Sequence, residues 1–367
     1  MIEFENVTKR FDDGAPAVDG LSLVAPDGEI TVFVGPSGCG KTTSLRMINR
    51  TIPVTSGTIS VDGQDIATTD AVQLRRKIGY VIQHAGLFPH RTVVDNIATV
   101  PHLLGWDKKK SRSVALELLE RVGLEAGMAK RYPAQLSGGQ QQRVGVARAL
   151  AADPPMLLMD EPFSAVDPIV RAQLQDEFLR LQQELGKTIA FVTHDIDEAI
   201  KLGDKVAVMQ AGGTLAQFAS PAELLSRPAN DFVAEFIGRD RGYRRLSFVA
   251  ADGLVVSERS TVSTDASADD VRRAAGDAQH VLVLDSDRRP AGWLAVDGGT
   301  DASTAAMLDI GTTFTSSQSL RTALDGALAS PTGEAVCVDD DGRFVGVIDH
   351  IQIAKYASTE GARQVPT

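Results

Sequence analysis

The sequence has no run of about 18 apolar residues, the length that a membrane-spanning helix requires, so the chain is not expected to cross a membrane. It also lacks an excess of basic residues. Its formal net charge of −11 argues against a broad nucleic-acid-binding surface, and we expect no nucleic-acid partner. The remaining composition, 43% hydrophobic and 23% charged, is that of a globular protein, and 367 residues suggest two or three domains.

Cysteine is scarce as well. Cys39 and Cys337 lie in separate predicted domains and do not suggest a disulfide framework. The first residues, Met1–Glu5, lack the basic and apolar regions of a signal peptide. A cytosolic location is therefore expected, with Cys39 as a small loop residue and not a nucleophile.

The strongest motif is a glycine-rich stretch between an apolar run, Ile30–Val34, and an amphipathic one. It consists of Gly35, Pro36, Ser37, Gly38, Cys39, Gly40, Lys41, Thr42 and Thr43. This fits the phosphate-loop pattern, in which glycines allow backbone N–H groups to approach a polyphosphate at a helix N-terminus. Lys41 would reach the β- and γ-phosphates of the nucleotide, and the Thr42 hydroxyl would hold Mg²⁺.

Two acids follow the apolar strand Leu157–Met159, about 120 residues downstream. Asp160, at the end of that strand, would hold Mg²⁺ through water, and Glu161 would orient or deprotonate an attacking water. A second candidate phosphate site begins another helix and consists of Ser137, Gly138, Gly139 and Gln140. It offers a hydroxyl and N–H groups at a positive helix end.

With Leu136 before it, this last segment resembles the signature of ATP-binding cassette (ABC) subunits, and the other family elements follow in order over residues 1–238. The resemblance implies ATP and Mg²⁺ as ligands. It implies that Gln83 contacts Mg²⁺ and the attacking water, and that His194 contacts the γ-phosphate. It also assigns Phe11 to adenine stacking and Ser164-Ala165-Val166-Asp167 to the D-loop, although Val166 stands where leucine is commoner.

The resemblance further implies a head-to-tail dimer that sandwiches two ATP molecules, each between one chain's phosphate loop and the other chain's Ser137 segment. Hydrolysis at Glu161 would open the dimer and drive a transmembrane permease, with the chain on the cytoplasmic face of the membrane. Gly86–His90 would be the socket for that permease. A substrate-binding protein would be an indirect partner.

Two functional classes compete, a membrane importer subunit and a soluble ATPase that acts on DNA or ribosomes. The second usually has two cassettes, a coiled-coil insertion or basic arms, none of which is present. Several segments resemble the glycine betaine/carnitine/choline uptake ATPases: Met47–Arg50, Ile78–Gln83, Gly86–His90, Leu103–Trp106 and Thr193–Ala199. An importer of another substrate, such as an amino acid, remains the alternative.

The expected fold is α/β, with a largely parallel core sheet, an antiparallel β subdomain and an α-helical subdomain at about residues 84–153. Residues 2–7, 17–24 and Thr58–Val61 read as the antiparallel strands. The core strands are predicted at Lys77–Gln83, Met156–Met159, Ile189–Thr193 and Val206–Met209. Helices are predicted at Val93–Leu104, Lys108–Val122 and Gly139–Ala151, and from Ser220 to Gly238.

Residues 239–367 are predicted to form a second domain containing a weak repeat, with copies at about 246–299 and 300–357. Each copy reads helix, strand, acidic turn, strand, as at Val281–Leu294 and Ala335–Ile348. The importer group carries a C-terminal pair of CBS domains, which this repeat resembles. The usual ribose-binding Ser/Thr and Asp are missing: Ala295 and Gly298 stand there in one copy, Asp349 and Gln352 in the other. We therefore expect dimerisation or ionic-strength sensing in preference to nucleotide binding.

Overall fold

Two units make up the chain, Met1–Gly238 and Arg239–Thr367, in a computed structural model that describes residues 1–11, 14–83, 86–164, 166–296 and 301–363. The expectations for Ala165, for Gly298 and for the start of the helical subdomain at residue 84 lie outside these residues. Within the described ranges, no helix has the length and apolar character needed to cross a membrane.

The first unit contains ten strands and ten α-helices among its described residues. The strands are β1 Ile2–Lys9, β2 Val18–Ala25, β3 Ile30–Val34, β4 Ser56–Val61, β5 Gln64–Asp65, β6 Ile78–Val81, β7 Met156–Asp160, β8 Thr188–Val192, β9 Lys205–Gln210 and β10 Thr214–Ala219. The helices are α1 Lys41–Ile48, α2 Ala71–Arg76, α3 Val93–Ile97, α4 Thr99–Leu103, α5 Lys108–Arg121, α6 Gly138–Leu150, α7 Pro168–Leu185, α8 Ile196–Leu202, α9 Pro221–Ser226 and α10 Asp231–Ile237.

The core is a six-stranded sheet of order β10-β9-β3-β8-β7-β6, in which only the β9–β10 pair is antiparallel. Every residue of β3, β7 and β8 is buried, as expected of parallel strands covered on both faces. A separate sheet of order β2-β1-β4-β5 is antiparallel throughout. The predicted combination of a largely parallel core sheet and an antiparallel β subdomain is confirmed.

Parallel pairing places the carboxyl ends of the core strands along one edge of the sheet. Phe33 of β3 pairs with Val192 of β8, and Val192 also pairs with Asp160 of β7. Val81 of β6 pairs with Met159 in turn. The segments that follow these four strands therefore begin side by side, and they contain most of the residues predicted to carry chemistry.

Two predicted helices are interrupted, each near a proline. The helix expected over Val93–Leu104 is divided at Ala98 into α3 and α4. Pro101 has no N–H to donate to the Ile97 carbonyl, and its ring crowds that oxygen. The prediction of one continuous helix from Ser220 to Gly238 was wrong. The first helix in this segment, α9, ends at Ser226, and a second helix, α10, begins at Asp231.

In the second case Pro228 holds the preceding residue, Arg227, out of the helical region, at φ −138° and ψ 69°. Asn230 then caps the new helix α10, since its side chain accepts a hydrogen bond from the Val233 N–H at 2.9 Å. The helices predicted at Lys108–Val122 and Gly139–Ala151 agree with α5 and α6 to within a residue at each end.

The described residues of the second unit form two small sheets, one of order β11-β12-β13 and one formed by β14 and β15. Its strands are β11 Thr261–Ser263, β12 His280–Leu284, β13 Pro290–Ala295, β14 Glu334–Val338 and β15 Phe344–Asp349. Its helices are α11 Arg241–Arg245, α12 Ala268–Ala275, α13 Leu320–Ala329 and α14 His350–Arg363. Leu282 and Trp293 from the first sheet share a buried cluster with Val336 and Val347 from the second.

The repeat is visible in its acidic turns. The Asp285 carboxylate accepts hydrogen bonds from the N–H groups two and four residues later, at 2.9 and 2.8 Å. Asp339 does the same in the second copy, at 3.0 and 2.7 Å. The copies differ after the second strand, because α14 follows β15 whereas no helix follows β13 in the part of residues 296–319 that the structure describes.

We expect Phe191→Ala to lower the free energy of unfolding of the full-length chain by about 3–5 kcal/mol. Its ring is fully buried and lies 6.0 Å from the Phe163 ring and 6.2 Å from the Phe178 ring, so truncation leaves a cavity in the core. Leu103→Ala removes a side chain that is 67% exposed, and it should change the free energy of unfolding by less than about 0.5 kcal/mol. Urea titration measures both, and equal losses would contradict this account of the core.

Candidate functional site

The loop from Gly35 to Gly40 joins the buried strand β3 to α1, and two of its glycines are required by neighbouring backbone. Gly35 has φ 153°, and a Cβ there would lie 2.2 Å from the Met209 carbonyl oxygen. Gly40, with φ 94°, would place a Cβ 2.2 Å from the Ala17 carbonyl oxygen. Neither position has room for a side chain, so the loop curves tightly against the sheet with its N–H groups near the start of α1.

Lys41 is enclosed by this loop. The residue is 6% exposed, and its Nζ donates to the carbonyl oxygens of Gly35 at 2.7 Å and Pro36 at 2.9 Å. No ion pair joins it to any carboxylate among the described residues. An ammonium group held by carbonyls beside a helix N-terminus is suited to binding an anion, because it has no anionic partner to give up.

The adjoining loop residues are placed differently. Cys39 is fully buried and its Sγ lies 3.8 Å from the Lys41 Nζ, while burial raises the pKa of the thiol. A buried thiol with a raised pKa fits the expectation of a loop residue that is not a nucleophile. Ser37 and Gly38 are exposed, and Thr43 is half-buried in the first turn of α1.

A hydroxyl and a carboxylate meet at the other side of the loop. The Thr42 Oγ1 donates to Asp160 Oδ1 at 2.8 Å, which links α1 to the end of β7. Burial raises the pKa of the Asp160 carboxyl, while the Thr42 hydroxyl and the nearby Arg46 guanidinium oppose that shift. Hydroxyl and carboxylate oxygens are the ligands that Mg²⁺ takes from proteins, so the donor set here fits that ion.

Next to Asp160, three polar side chains converge, each of which follows the end of a different core strand. The Glu161 Oε2 accepts a hydrogen bond from Gln83 Nε2 at 3.2 Å, and the same oxygen lies 3.1 Å from His194 Nδ1. The Glu161 backbone has φ 46°, which is unfavourable for a residue with a side chain, and its N–H donates to the Val192 carbonyl oxygen at 2.9 Å. The structure thus brings together the three residues that were predicted as catalytic.

The segment Ser137–Gln140 stands apart from this group. The Ser137 hydroxyl accepts from the Gln140 N–H at 3.3 Å, and the Gln140 side chain accepts from the Ser137 N–H at 2.9 Å. This capping box starts α6 and leaves Ser137 and Gly138 exposed, with Gly139 close to the side chain of Val170. Among the described residues, no hydrogen bond connects the segment to residues 35–43.

Two further predicted residues lie at the margins of the site. Phe11 is 49% exposed, and the Lys9 Nζ lies 4.9 Å from the centre of its ring. Asp167 is exposed at the start of α7, where its carbonyl oxygen accepts from the Arg171 N–H at 2.8 Å. Among the described residues, no hydrogen bond identified for either side chain leads to the phosphate loop.

Sequence reasoning missed Arg46 and Tyr80, which flank Asp160. Burial raises the pKa of Tyr80 and the Asp160 charge adds to the increase, while a hydrogen bond with Arg46 opposes it. Arg46 lies four residues after Thr42, one turn along the same helix face, and that spacing is the signal that could have identified it. Tyr80 gave no signal, because only the pairing of β6 with β7 brings it close to Asp160.

The fold and this edge of the sheet define a phosphate-loop nucleotide-binding protein. A family model described as ABC transporter matches residues 18–164. The osmoprotectant import ATP-binding protein OsmV of Salmonella typhimurium is 47% identical, covering 99% of this chain and 98% of its own length. The choline transport ATP-binding protein OpuBA of Bacillus subtilis is 42% identical, with 95% and 94% covered.

A comparison with solved structures leads to the same kind of protein. A dimeric ATP-binding cassette in a post-hydrolysis state bound to ADP and Pi matches with a TM-score of 0.55 and 34% identity. The match covers 60% of this chain and 99% of that one. The chain therefore belongs to the ABC transporter family, among its ATP-binding proteins.

The glycines of the loop provide a matched pair of substitutions. Gly38→Ala, at φ 81° with nothing within 4 Å, should lower the free energy of unfolding by about 1–2 kcal/mol through backbone strain alone. The backbone at Gly40 has a similar φ, but the Cβ introduced by Gly40→Ala would also collide with the Ala17 carbonyl oxygen. The free energy of unfolding should therefore fall clearly further in this variant. Urea titration of both variants measures the difference. Equal losses would show that the close approach does not constrain the loop.

Proposed function

We propose that this chain is the ATP-hydrolysing subunit of an importer for quaternary amine osmoprotectants such as glycine betaine, choline and carnitine. The observation that carries the proposal is the match to OsmV over nearly the whole of both chains, the second unit included. A match confined to residues 1–238 would support the ATPase but leave the substrate class open. The site described above supplies the chemistry that such a subunit needs.

The phosphate loop and its surroundings would bind MgATP. Residues Gly35–Thr43 would hold the phosphates through backbone N–H groups, with the Lys41 ammonium turning from the loop carbonyls toward the anion. Thr42, Asp160 and Gln83 would hold Mg²⁺, which supplies charge neutralisation on the phosphate oxygens when bound. Phe11, which is about half exposed, would stack on the adenine.

Glu161 would act on the attacking water. Its carboxylate is 20% exposed and already accepts from Gln83 and lies beside His194, so all three side chains surround one point at the sheet edge. Gln83 and His194 would orient the water and the γ-phosphate, and Glu161 would accept a hydrogen bond or a proton from the water. The two core strands that precede Glu161 and His194 are fully buried.

A second copy of the chain would complete each site. Ser137–Gln140 presents an exposed hydroxyl and a helix N-terminus, yet no hydrogen bond among the described residues joins it to the phosphate loop of its own chain. In a head-to-tail dimer these groups would bind the nucleotide held by the partner's loop, and Asp167 would lie at the contact between the copies. Loss of the γ-phosphate would then weaken the dimer.

The permease would dock at the segment before α3. Phe88 is 39% exposed, and its backbone is anchored by the fully buried Asn96, which accepts from the Phe88 N–H at 2.7 Å and donates to its carbonyl at 3.1 Å. An apolar side chain on a fixed backbone is a suitable socket for a partner helix. This docking would place the chain at the cytoplasmic face of the membrane.

The second unit would serve as a regulatory, tandem CBS-like module. Its two copies share a buried cluster, and the polar residues that usually bind ribose, at and after the end of the second strand, are missing from both copies. These features favour a dimer brace or an ionic-strength sensor over a second nucleotide site.

Glu161→Gln should bind MgATP but lose at least about 100-fold in turnover in the assembled complex, because the amide cannot accept the proton of water. It should also accumulate as an ATP-bound dimer, measured by size-exclusion chromatography with light scattering. Lys41→Ala is the matched comparison, and it should lose ATP binding and remain monomeric. Normal hydrolysis by the Gln variant would exclude the role given to Glu161.

Cells that lack this chain should lose energised uptake of labelled glycine betaine, choline or carnitine, and regain it with the wild type but not with Lys41→Ala. Loss of amino-acid uptake instead would assign the importer to another substrate. An unchanged uptake of every compound, together with a defect in DNA repair or translation, would place the chain among the non-transport ATPases.

A further inference from the structure

Helix α6 starts at the exposed segment Ser137–Gln140, so the direction of this helix decides where the Ser137 hydroxyl is presented. Its neighbour in the core is α7, which connects β7 to β8. Any movement of α6 across α7 would shift the segment relative to the sheet that carries the phosphate loop. The contact between α6 and α7 therefore helps to determine the position of the Ser137 segment.

The apolar part of this contact is incomplete. A cavity of about 40 Å³ is lined by residues of both helices, among them Val146 of α6 and Leu174, Phe178 and Leu181 of α7. A second cavity of about 10 Å³ shares three of these side chains, those of Val146, Phe178 and Leu181. Voids of this kind remove van der Waals contacts, so packing constrains the two helices less than it constrains the core strands.

A charged pair crosses the same contact. The Arg143 guanidinium of α6 donates from Nη2 to Glu177 Oε1 of α7 at 3.1 Å, and this nitrogen lies 3.0 Å from Glu177 Oε2. The side chains are 18% and 35% exposed, so the pair is partly shielded from water. Charge-assisted hydrogen bonds of this kind are strong and directional, so the pair restricts the position of α6 on α7 more than apolar contact does.

The side chain next to Arg143 does not share this task through its amide nitrogen. Gln142 is 4% exposed and lines the larger cavity, and its Nε2 has no hydrogen-bond partner among the described residues. An unsatisfied buried donor is unfavourable and holds nothing in place. The Arg143–Glu177 pair is therefore the polar link that we identify at this cavity.

The Arg143 guanidinium also holds the end of α5. Its Nη1 donates to the carbonyl oxygens of Val122 and Gly123, each at 3.1 Å. Val122 is the C-cap of α5, where a cation is favourable, and Gly123 follows with φ 70°. A Cβ at Gly123 would lie 2.5 Å from Arg143 Nη1, so the glycine leaves room for this contact. Arg143 thus joins α5, α6 and α7.

We propose that Arg143 is a positioning residue for the Ser137 segment, and that it holds α6 in place on the core by pairing with Glu177. This inference rests on the function proposed above, in which the Ser137 segment of one chain binds the nucleotide held by a second copy. Among the described residues, no hydrogen bond joins Arg143 or Glu177 to the phosphate loop. Loss of the pair should therefore affect the nucleotide bound by the partner and not the nucleotide bound by the same chain.

Glu177→Ala should be built on the Glu161→Gln chain, so that bound ATP is not consumed. The affinity of a single chain for MgATP should stay within about twofold, because the phosphate loop is untouched. The ATP-bound dimer should have a dissociation constant at least about tenfold higher, since small misplacements of a preorganised group have effects of this size. Equilibrium dialysis of dilute chain measures the first quantity and analytical ultracentrifugation the second. Equal losses in both would overturn the proposal.

Arg143→Lys tests the same pair in case the alanine variant does not fold. It keeps the positive charge but lacks the guanidinium that reaches Glu177 and α5 together, so it should also weaken the dimer. Glu177→Ala should add little to its effect if the two side chains act as a pair. Fully additive losses would show that they act separately and would contradict the inference.

Asp153→Asn is the matched control. The Asp153 carboxylate lies 2.6 Å from Lys187 Nζ, in an ion pair that joins the segments after the C-terminal ends of the same two helices. Asparagine tolerates the φ of 50° at this position, and the dimer should be unchanged. A loss comparable to that of Glu177→Ala would assign the effect to general loosening of α6 and α7, against a specific role of Arg143.

A measurement without nucleotide separates this inference from the proposed function. Spin labels on cysteines introduced at the exposed positions Ala134, just before the Ser137 segment, and Glu184, in the last turn of α7, report the position of the segment on the core. The distance distribution between them should shift or broaden in Glu177→Ala and Arg143→Lys but not in Asp153→Asn. An unchanged distribution in the first two variants would show that the positioning role is wrong. If it changes while the Glu161→Gln chain forms no ATP-dependent dimer, the proposed dimer fails and the positioning role stands.

Discussion

The site depends on the parallel pairing of β3, β7 and β8. The backbone ladder aligns Phe33, Val192 and Asp160 across three strands, so the residues that follow them start at a common edge. Further main-chain hydrogen bonds continue the alignment past the strands, from the Thr193 N–H to Phe33 and from the Glu161 N–H to Val192. Positions more than 100 residues apart in sequence are thereby held within hydrogen-bond distance, as Thr42 and Asp160 show.

The charges at this edge are arranged in two ways. Lys41 is held by neutral carbonyls, and no described carboxylate pairs with it, so its charge remains available to an anion. Glu161, by contrast, has the polar groups of Gln83 and His194 on one oxygen and sits on a backbone of positive φ. A cation held by neutral carbonyls and a carboxylate held in an unfavourable conformation are both features of sites that bind and act on a ligand.

The errors of sequence reasoning concerned interruptions of helices. The apolar period runs through Val93–Leu104 and through the segment after Ser220, and most of the residues in both segments are helical. The apolar pattern alone could not show whether Pro101 and Pro228 would kink or end a helix. The outcome depends on whether the carbonyl that loses its hydrogen bond finds another partner. The buried Glu198 was also unremarkable in the sequence, where Asp195, Asp197 and Glu198 look like an ordinary acidic helix start. Its burial results from the packing of α7 on α8.

The sequence by itself determined which residues could bind phosphate and which fold could present them, because the phosphate loop depends on local backbone freedom and on the strand and helix beside it. It also determined that Gly35, Gly40 and Lys41 belong to one loop, since they are neighbours in the chain. Only the tertiary structure decided that Gln83, Glu161 and His194 meet at one point and that the Ser137 segment does not join them. Those facts depend on the order of strands in the sheet and on the direction of α6, which arise from long-range pairing and packing that local sequence does not encode.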